Sequence, residues 1–298
     1  MDASLFRRPA LEDKELMEFY LDKNPSRSCE RKFANIYLWA RHYGMKFAII
    51  EDALVIGSAE GQIVFAYPSG EPENIKKAID VLMEFCREKG EKFILTGVTE
   101  ENFQQLEGWY PGLFQIEYDR DKAEYVYEQE KLATLAGKKL HGKRNHINKF
   151  QRMYPDWSYE RLSDDNVEGC FQMALSWRNQ NGCDEDVEKN NEMCVTLNAL
   201  RLYKELNLKG GVLKIGERIV AFTIGEEQCE DTFVVHIEKA FPDVEGAYPM
   251  INQQFVKNEC TDYMYINREE DTGEEGLRQA KLSYRPVFLV EKGKVALK

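Results

Sequence analysis

The sequence lacks the features of membrane-spanning and secreted chains. No apolar run approaches the roughly 18–20 residues that cross a bilayer, and the first residues, MDASLFRRPALEDKE, contain no apolar stretch typical of a secretory signal. The seven cysteines are scattered and are never spaced as CxxC, which argues against a disulfide framework and against a cysteine zinc site. We therefore expect a cytoplasmic protein whose thiols are reduced and buried.

Motifs for metals and nucleotides are also missing. No HExxH motif, P-loop or clustered set of His and Cys is present, so we expect no protein-held metal and no tightly bound cofactor. Aromatic residues make up 12% of the chain and hydrophobic residues 43%, which is enough for real cores and excludes a disordered protein. A chain of 298 residues is long enough for two domains of ordinary size.

Acidic residues dominate the chain, with 52 Asp and Glu against 40 Lys and Arg and a net charge of −12. The segment 131–152, KLATLAGKKLHGKRNHINKFQR, reverses this balance, because it carries seven Lys or Arg and no acid. Without it the chain has a net charge of −19. Such a local concentration of positive charge predicts a place where an anion such as phosphate, a nucleotide or RNA binds. The alternative is a basic surface helix that pairs with acidic neighbours.

Hydrophobic periodicity predicts the same order of elements in both halves: helices, three strands, a helix, a strand, a helix and a strand. We therefore expect an α+β fold with mixed sheets and flanking helices, in two similar domains at 1–130 and 131–298. The basic segment lies at their junction. The predicted strands are 46–50, 53–58, 62–67, 92–97 and 113–118, then 212–215, 219–224, 232–238, 263–266 and 287–290, and the helices include 73–89, 167–180, 192–206, 248–260 and 274–283.

Two stretches point to a family. They are GKKLHGKRNHINKF at 137–150 and YINREEDTGEEGLRQAKLSYRP at 265–286. Together they resemble a bacterial family of tandem-GNAT proteins, which is similar to the C-terminal aminoacyltransferase domain of phosphatidylglycerol lysyltransferases and, more distantly, to Fem-type aminoacyltransferases. The resemblance implies two tandem GNAT-like (acyl-CoA N-acyltransferase) domains and an acyl- or aminoacyltransferase activity.

GNAT enzymes hold the pyrophosphate of coenzyme A at the loop before a helix, where backbone N–H groups face the anion. The corresponding loop here is KAFPDVEGA at 239–247, in which only Gly246 and Ala247 match the usual pattern. Asp243 and Glu245 would repel phosphate, so acetyl-CoA is disfavoured as the donor. Aminoacyl-tRNA, whose phosphates bind elsewhere, is the favoured donor. Alternatively, Gly246 only forms a tight turn before the helix.

The basic segment is the candidate for that other phosphate site. Helical spacing places one stripe of side chains with hydrogen-bond donors beside an apolar face of the helix. A second such stripe lies next to the first. Gly137 and Gly142 interrupt the pattern, so either the helix begins after Gly142 or the first half is a loop around a ligand. An arginine here suits a bidentate grip on phosphate or carboxylate. The predicted anion-binding residues of this segment are Lys138, Lys139, His141, Lys143, Arg144, Asn145 and His146.

The second stretch places charged residues directly after a predicted central strand, where loops reach into the cleft of a sheet. Arg268 is a candidate for positioning a substrate carboxylate or amine. Glu269 and Asp271 are candidates for a general base, if burial raises the pKa of either carboxyl group. For Asp271, a role at the start of the following helix is an equal alternative.

Three further residues are candidates for catalysis. By resemblance, Lys281 takes the position of a lysine in Fem-type enzymes, where it would stabilise a phosphate or an oxyanion. Tyr284 takes the position of a tyrosine that protonates the leaving group, and its alternative is an ordinary half-buried aromatic. Alternation along the strand puts His236 and Glu238 on one side, as a base with a carboxylate neighbour or as a structural histidine.

Three functions remain open from the sequence. The first is transfer of an acyl group, such as an aminoacyl group from tRNA, to an amine or hydroxyl of a small molecule, a peptide or a lipid headgroup. The second is a non-catalytic module that binds an anion or a nucleotide. The third is an acetyl-CoA-dependent N-acetyltransferase, which the donor loop disfavours.

Overall fold

The computed structural model describes residues 3–58, 62–180 and 186–298, and these residues form two compact units. The N-terminal unit consists of Met1–Glu124 with Val290–Lys298, and the C-terminal unit of Tyr125–Leu289. The last residues of the chain therefore belong to the unit that contains the first. The predicted boundary between two domains, at 130/131, remains a proposal about where separately folding domains meet in the sequence.

Helix formation in the N-terminal unit follows the sequence signals. The longest helix begins with Pro72 in its first turn, buries Ile75, Ile79 and Leu82 on one face, and ends at Gly90, whose φ of 70° is left-handed. The α-helices of this unit are α1 (Lys14–Leu21), α2 (Phe33–Ala40), α3 (Pro72–Lys89) and α4 (Glu100–Trp109), and its 3-10 turns are Ala3–Leu5, Leu11–Asp13, Cys29–Arg31 and Arg120–Lys122.

The N-terminal sheet has the order β1-β2-β3-β5-β14-β6, with β4 paired to β2. β3 and β5 run parallel, and β14 pairs antiparallel with both β5 and β6. The C-terminal end of the chain is thus an interior strand of this sheet. The strands are β1 (Met45–Ile50), β2 (Ala53–Ser58), β3 (Val64–Ala66), β4 (Ser69–Gly70), β5 (Ile94–Val98), β6 (Phe114–Tyr118) and β14 (Gly293–Leu297).

The C-terminal unit packs its helices through apolar faces. α6 buries Ile147 and Phe150, and α9 buries Met250, Ile251 and Phe255. The α-helices of this unit are α5 (Gln129–Thr134), α6 (His141–Met153), α7 (Val167–Gln180), α8 (Val187–Arg201), α9 (Ala247–Glu259) and α10 (Glu275–Leu282), and Lys138–Leu140 is a 3-10 turn.

The C-terminal sheet has the order β13-β7-β12-β11-β10-β9-β8. β9, β10 and β11 form an antiparallel meander, and β12 then pairs parallel with β11. The strands are β7 (Glu124–Glu128), β8 (Trp157–Arg161), β9 (Lys209–Ile215), β10 (Arg218–Cys229), β11 (Thr232–Ala240), β12 (Tyr265–Asn267) and β13 (Phe288–Val290).

Both units therefore contain a three-stranded meander, a helix and a strand parallel to the third strand of the meander, which confirms the predicted α+β class with tandem units. Some bounds differ from the prediction. The helix predicted at 192–206 lies at Val187–Arg201, because the side chain of Asp186 caps its first turn by accepting from the N–H groups of Glu188 and Lys189. The sequence prediction omitted β8 and β14.

Candidate functional site

Polar side chains of the C-terminal unit cluster where β11 and β12 stop pairing. The two strands share three paired positions, the last being Val234 with Asn267. On the other side of β11, the pairing with β10 is irregular between Ile224 and Gly225, so His236 has no partner in the register. A bulge of this kind turns side chains of a strand toward a site. A Cβ at Gly225 would lie 2.1 Å from the carbonyl oxygen of Val234, so only glycine fits there.

Arg268 and Glu238 form the centre of this cluster. Arg268 Nη2 donates to Glu238 Oε1 at 2.8 Å, and the two side chains are 13% and 10% exposed. Glu238 Oε2 accepts from Asn252 Nδ2 at 3.1 Å and from Thr223 Oγ1 at 3.4 Å. The ion pair is thus enclosed by hydrogen bonds from β10 and α9, which a buried charge pair requires.

Lys143 and Tyr284 lie beside this ion pair. Lys143 Nζ stands 4.1 Å from the centroid of the Tyr284 ring, and Arg268 Cζ stands 4.9 Å from the same centroid. Burial and the nearby Arg268 lower the pKa of Lys143, while Glu238 opposes the shift. Within the described chain, no acceptor lies within hydrogen-bonding distance of the ammonium. Beside the Tyr284 ring, the two cations Lys143 and Arg268 have one carboxylate, Glu238, so this part of the cluster has a surplus positive charge.

Two buried atoms of the cluster have no hydrogen-bond partner among the described residues. They are Nη1 of Arg268, a donor, and Oδ1 of Asn252, an acceptor. Buried polar groups are nearly always paired, so such atoms call for an explanation. The pKa of the Tyr284 phenol is raised to about 12 by burial, which the guanidinium of Arg268 partly offsets. The phenol is therefore protonated at neutral pH and is able to donate.

His236 is paired on both ring nitrogens. Nε2 lies 2.9 Å from Glu226 Oε1, and Nδ1 lies 2.7 Å from Glu269 Oε1. Burial alone would lower the pKa of His236, but the two carboxylates outweigh it and raise the pKa to about 10. The imidazole is thus charged at neutral pH and is not a free base. Its carboxylate partners are Glu226 and Glu269, whereas Glu238, the neighbour expected from alternation, pairs with Arg268.

Lys281 fixes the loop that carries Arg268. Its ammonium donates to the carbonyl oxygens of Arg268 at 2.7 Å and Glu269 at 3.1 Å, and also to that of Glu270. Lys281 is 8% exposed. Glu269 has a φ of 58°, which is costly for a residue with a side chain. These contacts support a positioning role for Lys281 rather than contact with a phosphate.

Asp271 is fully buried, with 0% exposure, and its oxygens are occupied. It accepts from Arg278 Nε at 2.9 Å and Arg278 Nη2 at 2.8 Å, from the N–H of Gly273 at 3.0 Å, and from the Tyr125 hydroxyl. The Arg278 guanidinium, with Tyr125 and Gly273, holds the pKa of Asp271 well below its usual range despite burial. A carboxylate that resists protonation in this way is a poor general base, and these contacts favour its role in the turn before α10.

The basic segment divides into buried and exposed parts. α6 begins at His141, one residue before Gly142. Lys143 is the residue of α6 that belongs to the cluster around Arg268 and Glu238. Arg144 Nη1 donates to the carbonyl oxygens of Leu135 and Gly137, the latter at 2.8 Å, and so ties down the preceding turn.

The remaining predicted anion-binding residues of this segment lie on the surface. Asn145 Nδ2 is 3.2 Å from His141 Nε2. Lys138 and Lys139 make no ion pair with any described residue. The residues of this segment that the structure leaves exposed include Lys138, Lys139, His141, Asn145 and His146.

The loop before α9 is a poor cradle for pyrophosphate. Gly246 has a φ of 85°, and a Cβ there would lie 2.8 Å from the carbonyl oxygen of His146, so this end of α9 is packed against α6. The N–H of Ala247 donates to the carbonyl of Val244 at 3.1 Å, and Pro249 has no N–H. Few N–H groups of the first turn are left for an anion.

The acids of that loop are paired with cations. Lys149 Nζ lies 2.6 Å from Glu245 Oε2, and Arg218 Nη2 lies 3.9 Å from Asp243 Oδ2. Both pairs are exposed at the surface, and each keeps a cation beside the loop.

None of the helices in the described ranges combines the length and apolarity needed to cross a lipid bilayer.

Several members of the cluster were not predicted as site residues. Glu226, Asn252 and Tyr127 come from three different elements and carry no motif. Tyr127 lies on β7, where Arg268 Cζ is 5.8 Å from the centroid of its ring. A signal for Asn252 existed, since it is a polar residue on the apolar face of a predicted helix, and such a residue often marks a site.

The chain is similar to a known protein family and to a solved structure. Residues 23–292 match the family model described as "Phosphatidylglycerol lysyltransferase, C-terminal". A conserved protein of unknown function from Bacteroides thetaiotaomicron is 38% identical, with 98% of this chain and 99% of that chain covered and a TM-score of 0.91.

More distant structures share the fold. L-PGS from Bacillus licheniformis is 17% identical, with 97% and 92% covered and a TM-score of 0.67. FemX is 8% identical, with 99% and 97% covered and a TM-score of 0.60. The predicted resemblance to these two groups and the predicted GNAT-like fold are confirmed. An uncharacterised protein from Mycoplasmoides gallisepticum is 23% identical over 66% of this chain, and the match spans 62% of that relative, less than two thirds of its length.

Proposed function

Because this chain belongs to the family of the phosphatidylglycerol lysyltransferase C-terminal domain, we propose that it transfers an aminoacyl group from tRNA to an amine or hydroxyl acceptor. The family supports an aminoacyltransferase-type reaction. The donor, the acceptor and a cytoplasmic location are parts of the proposal. A small molecule, a peptide and a lipid headgroup are the acceptor classes to be tested.

The observation that carries the proposal is the meeting of the two sequence motifs in one cluster. Lys143 comes from the first motif, and Arg268 and Tyr284 come from the second, more than 100 residues later. Lys143 and Arg268 both lie against the aromatic ring of Tyr284 within the C-terminal unit. The cluster has a surplus cation, a protonated phenol and a guanidinium N–H that has no partner in the described part of the chain. These are the groups that acyl transfer needs.

The reaction follows from these groups. The acceptor nitrogen or oxygen attacks the ester carbonyl carbon, and the carbonyl oxygen becomes an oxyanion that Lys143 Nζ and Arg268 Nη1 stabilise. The new bond to the acceptor remains, and the bond from carbon to the ribose oxygen breaks. Tyr284 gives its proton to the leaving ribose oxygen and takes one from the acceptor, so the phenol is regenerated. In the whole reaction, the acyl group moves from the donor to the acceptor, and one proton moves from the acceptor to the donor.

The exposed part of the basic segment supports RNA as the carrier of that acyl group. Lys138 and Lys139 are exposed and free of ion pairs with described residues, in a chain whose net charge is −12. Exposed cations of this kind bind the phosphate backbone, and the binding weakens as salt rises. The packed start of α9 makes acetyl-CoA the weaker candidate.

The test compares the possible donors directly. The purified protein is mixed with tRNA that carries labelled amino acids, or with labelled acetyl-CoA, together with amines, peptides and lipid headgroups. We expect salt-sensitive tRNA binding and release of the aminoacyl ester. The double variant Lys138→Glu/Lys139→Glu should bind tRNA at least tenfold more weakly, whereas Lys257→Glu, an exposed lysine on α9, should bind as the natural protein does. Saturable acetyl-CoA turnover without tRNA binding would overturn the proposal, and binding without any turnover would indicate a non-catalytic module.

A further inference from the structure

We propose that Asn252 and Arg268 form a subsite for the α-amino and carbonyl groups of the acyl donor, so that Asn252 selects aminoacyl groups over simple acyl groups. This inference rests on the proposed function and adds the residues that recognise the amino and carbonyl groups of the donor. It starts from the two buried atoms that lack a partner among the described residues, Arg268 Nη1 and Asn252 Oδ1.

The two side chains that carry these atoms are both held by one carboxylate, that of Glu238. Arg268 Nη2 donates to one oxygen of Glu238 at 2.8 Å, and Asn252 Nδ2 donates to the other at 3.1 Å. Each side chain therefore uses one nitrogen on Glu238 and has one buried polar atom without a partner among the described residues, Nη1 of Arg268 and Oδ1 of Asn252. Thr223 Oγ1, at 3.4 Å from Glu238 Oε2, supports the same carboxylate from β10. The subsite thus offers a ligand one hydrogen-bond donor and one hydrogen-bond acceptor, on two side chains that Glu238 holds in place.

The chemistry of these atoms defines the ligand. Arg268 is already neutralised by Glu238, so the subsite does not require a full negative charge from the ligand. It requires a group that accepts from Nη1 and another, close by, that donates to Oδ1. An aminoacyl ester has these two groups on adjacent carbons, the carbonyl oxygen and the α-amino nitrogen. A simple acyl group has the carbonyl but no donor.

This placement agrees with the chemistry of transfer. The carbonyl oxygen at Arg268 Nη1 is the atom that becomes the oxyanion, and the Lys143 ammonium lies against the same Tyr284 ring as the Arg268 guanidinium. Asn252 is 1% exposed, whereas Lys143 and Arg268 keep part of their surface, so we expect the ligand to enter from their side. The Lys143 ammonium, which lies 4.1 Å from the centre of the Tyr284 ring, then gains the oxyanion as a partner.

A donor that lacks the amino group leaves Asn252 Oδ1 buried and unpaired. Sites built to hydrogen-bond a substrate group reject analogues without it, because their own polar atoms then stay unsatisfied. We therefore expect a simple acyl ester to react at least tenfold more slowly than the matching aminoacyl ester. A hydroxyl in place of the amino group preserves the hydrogen bond, so such a donor should react at nearly the full rate.

The experiment uses tRNA esterified with one of three groups of nearly equal size: alanyl, lactyl or propionyl. Single-turnover rates of ester cleavage are measured with the natural protein. We expect alanyl and lactyl esters to react within about threefold of each other and the propionyl ester to react at least tenfold more slowly. This series needs no substitution, so it is decisive even if a buried variant fails to fold.

Substitution then assigns the selectivity to one residue. Asn252→Leu should bring the alanyl and propionyl rates within about threefold of each other, whereas Asn258→Leu, an exposed position on the same helix, should keep the ratio of the natural protein. Equal rates for alanyl and propionyl esters in the natural protein, or an unchanged ratio in folded Asn252→Leu, would overturn the subsite while leaving aminoacyl transfer intact. Failure of all three esters to react would overturn the proposed function itself.

Discussion

At the residue scale, charge pairing decides which side chains are free to react. His236, Asp271 and Lys281 were candidates for catalysis, and each is held by several partners in the C-terminal unit. Lys143 has an aromatic ring beside it but no hydrogen-bond acceptor among the described residues. The residues with satisfied partners shape the loop at the site, and the cluster around Lys143 is left to meet a ligand.

The charged His236 makes stability depend on pH. Its pKa in the folded protein is about 10, above the value of 6.5 expected when unfolded, so the stabilisation is complete below pH 6.5 and is lost as pH rises toward 10. We expect urea unfolding to show a loss of a few kcal/mol between pH 6 and pH 10. His236→Gln should lose far less over the same range. Parallel curves for the two proteins would show that His236 is not charged.

Lys281 should matter for stability through the carbonyl groups that it binds. Lys281→Met leaves three part-buried carbonyl oxygens without this donor, and we expect the free energy of unfolding to fall by about 2–4 kcal/mol. Lys257→Met, on the exposed side of α9, should change it by less than about 0.5 kcal/mol. Urea unfolding at neutral pH measures both. An equal effect of the two substitutions would contradict the positioning role.

At the scale of elements, the contact between α6 and the start of α9 explains why the donor loop departs from the usual phosphate-binding pattern. Gly246 brings this loop against His146 and Phe150, with a potential Cβ only 2.8 Å and 3.0 Å from their atoms. The sequence predicted both helices and the glycine turn between a strand and α9. It did not predict their contact, because the two helices are about 100 residues apart and no local pattern encodes a distant partner.

Two glycines of these elements should respond oppositely to alanine. Gly246→Ala places a Cβ at a left-handed φ of 85° and against α6, so we expect a loss of about 1–3 kcal/mol. Gly142→Ala lies in the first turn of α6, where a Cβ meets no atom within 4 Å, and it should stabilise the protein by up to about 1 kcal/mol. Thermal and urea unfolding of both variants provide the measurement. A stable Gly246→Ala protein would contradict the packing of α9 on α6.

At the scale of the whole molecule, the chain returns to its first unit at its end. β14 lies between β5 and β6, and the sequence prediction omitted it because GKVAL is short and lies far from its partner strands in the sequence. β8 was omitted for a similar reason, since its residues are half-buried at the edge of the sheet. The repeated order of the remaining elements was predictable, because each helix and strand carries its own periodicity.

The position of β14 predicts an effect of C-terminal substitutions on the N-terminal unit. Val295 is fully buried in the core of that unit, whereas Lys294 next to it is exposed. Val295→Asp should destabilise the N-terminal unit by more than about 3 kcal/mol and open residues before 124 to proteolysis. Lys294→Asp should leave the cleavage pattern unchanged. Mass spectrometry of limited digests distinguishes them, and a protected Val295→Asp protein would disprove this arrangement.

The candidate site was predictable as a list of residues more than as an arrangement. The motifs named Lys143 and Arg268 because basic residues stand out in an acidic chain, and the family resemblance named Tyr284. Their convergence depends on long-range packing of α6 and on where β12 ends. The partners of His236 depend on an irregular register between β10 and β11, which alternation along a single strand cannot reveal.

The central claim is that the cluster of Lys143, Arg268 and Tyr284 carries aminoacyl transfer. The most direct measurement is the single-turnover rate of ester cleavage from labelled aminoacyl-tRNA by the natural protein, Lys143→Met and Lys149→Met. Lys149 lies on the same helix and pairs with Glu245 at the surface, so its substitution removes an equal charge away from the cluster. We predict a loss of about 100-fold for Lys143→Met and less than threefold for Lys149→Met. Equal rates for all three proteins would contradict the account.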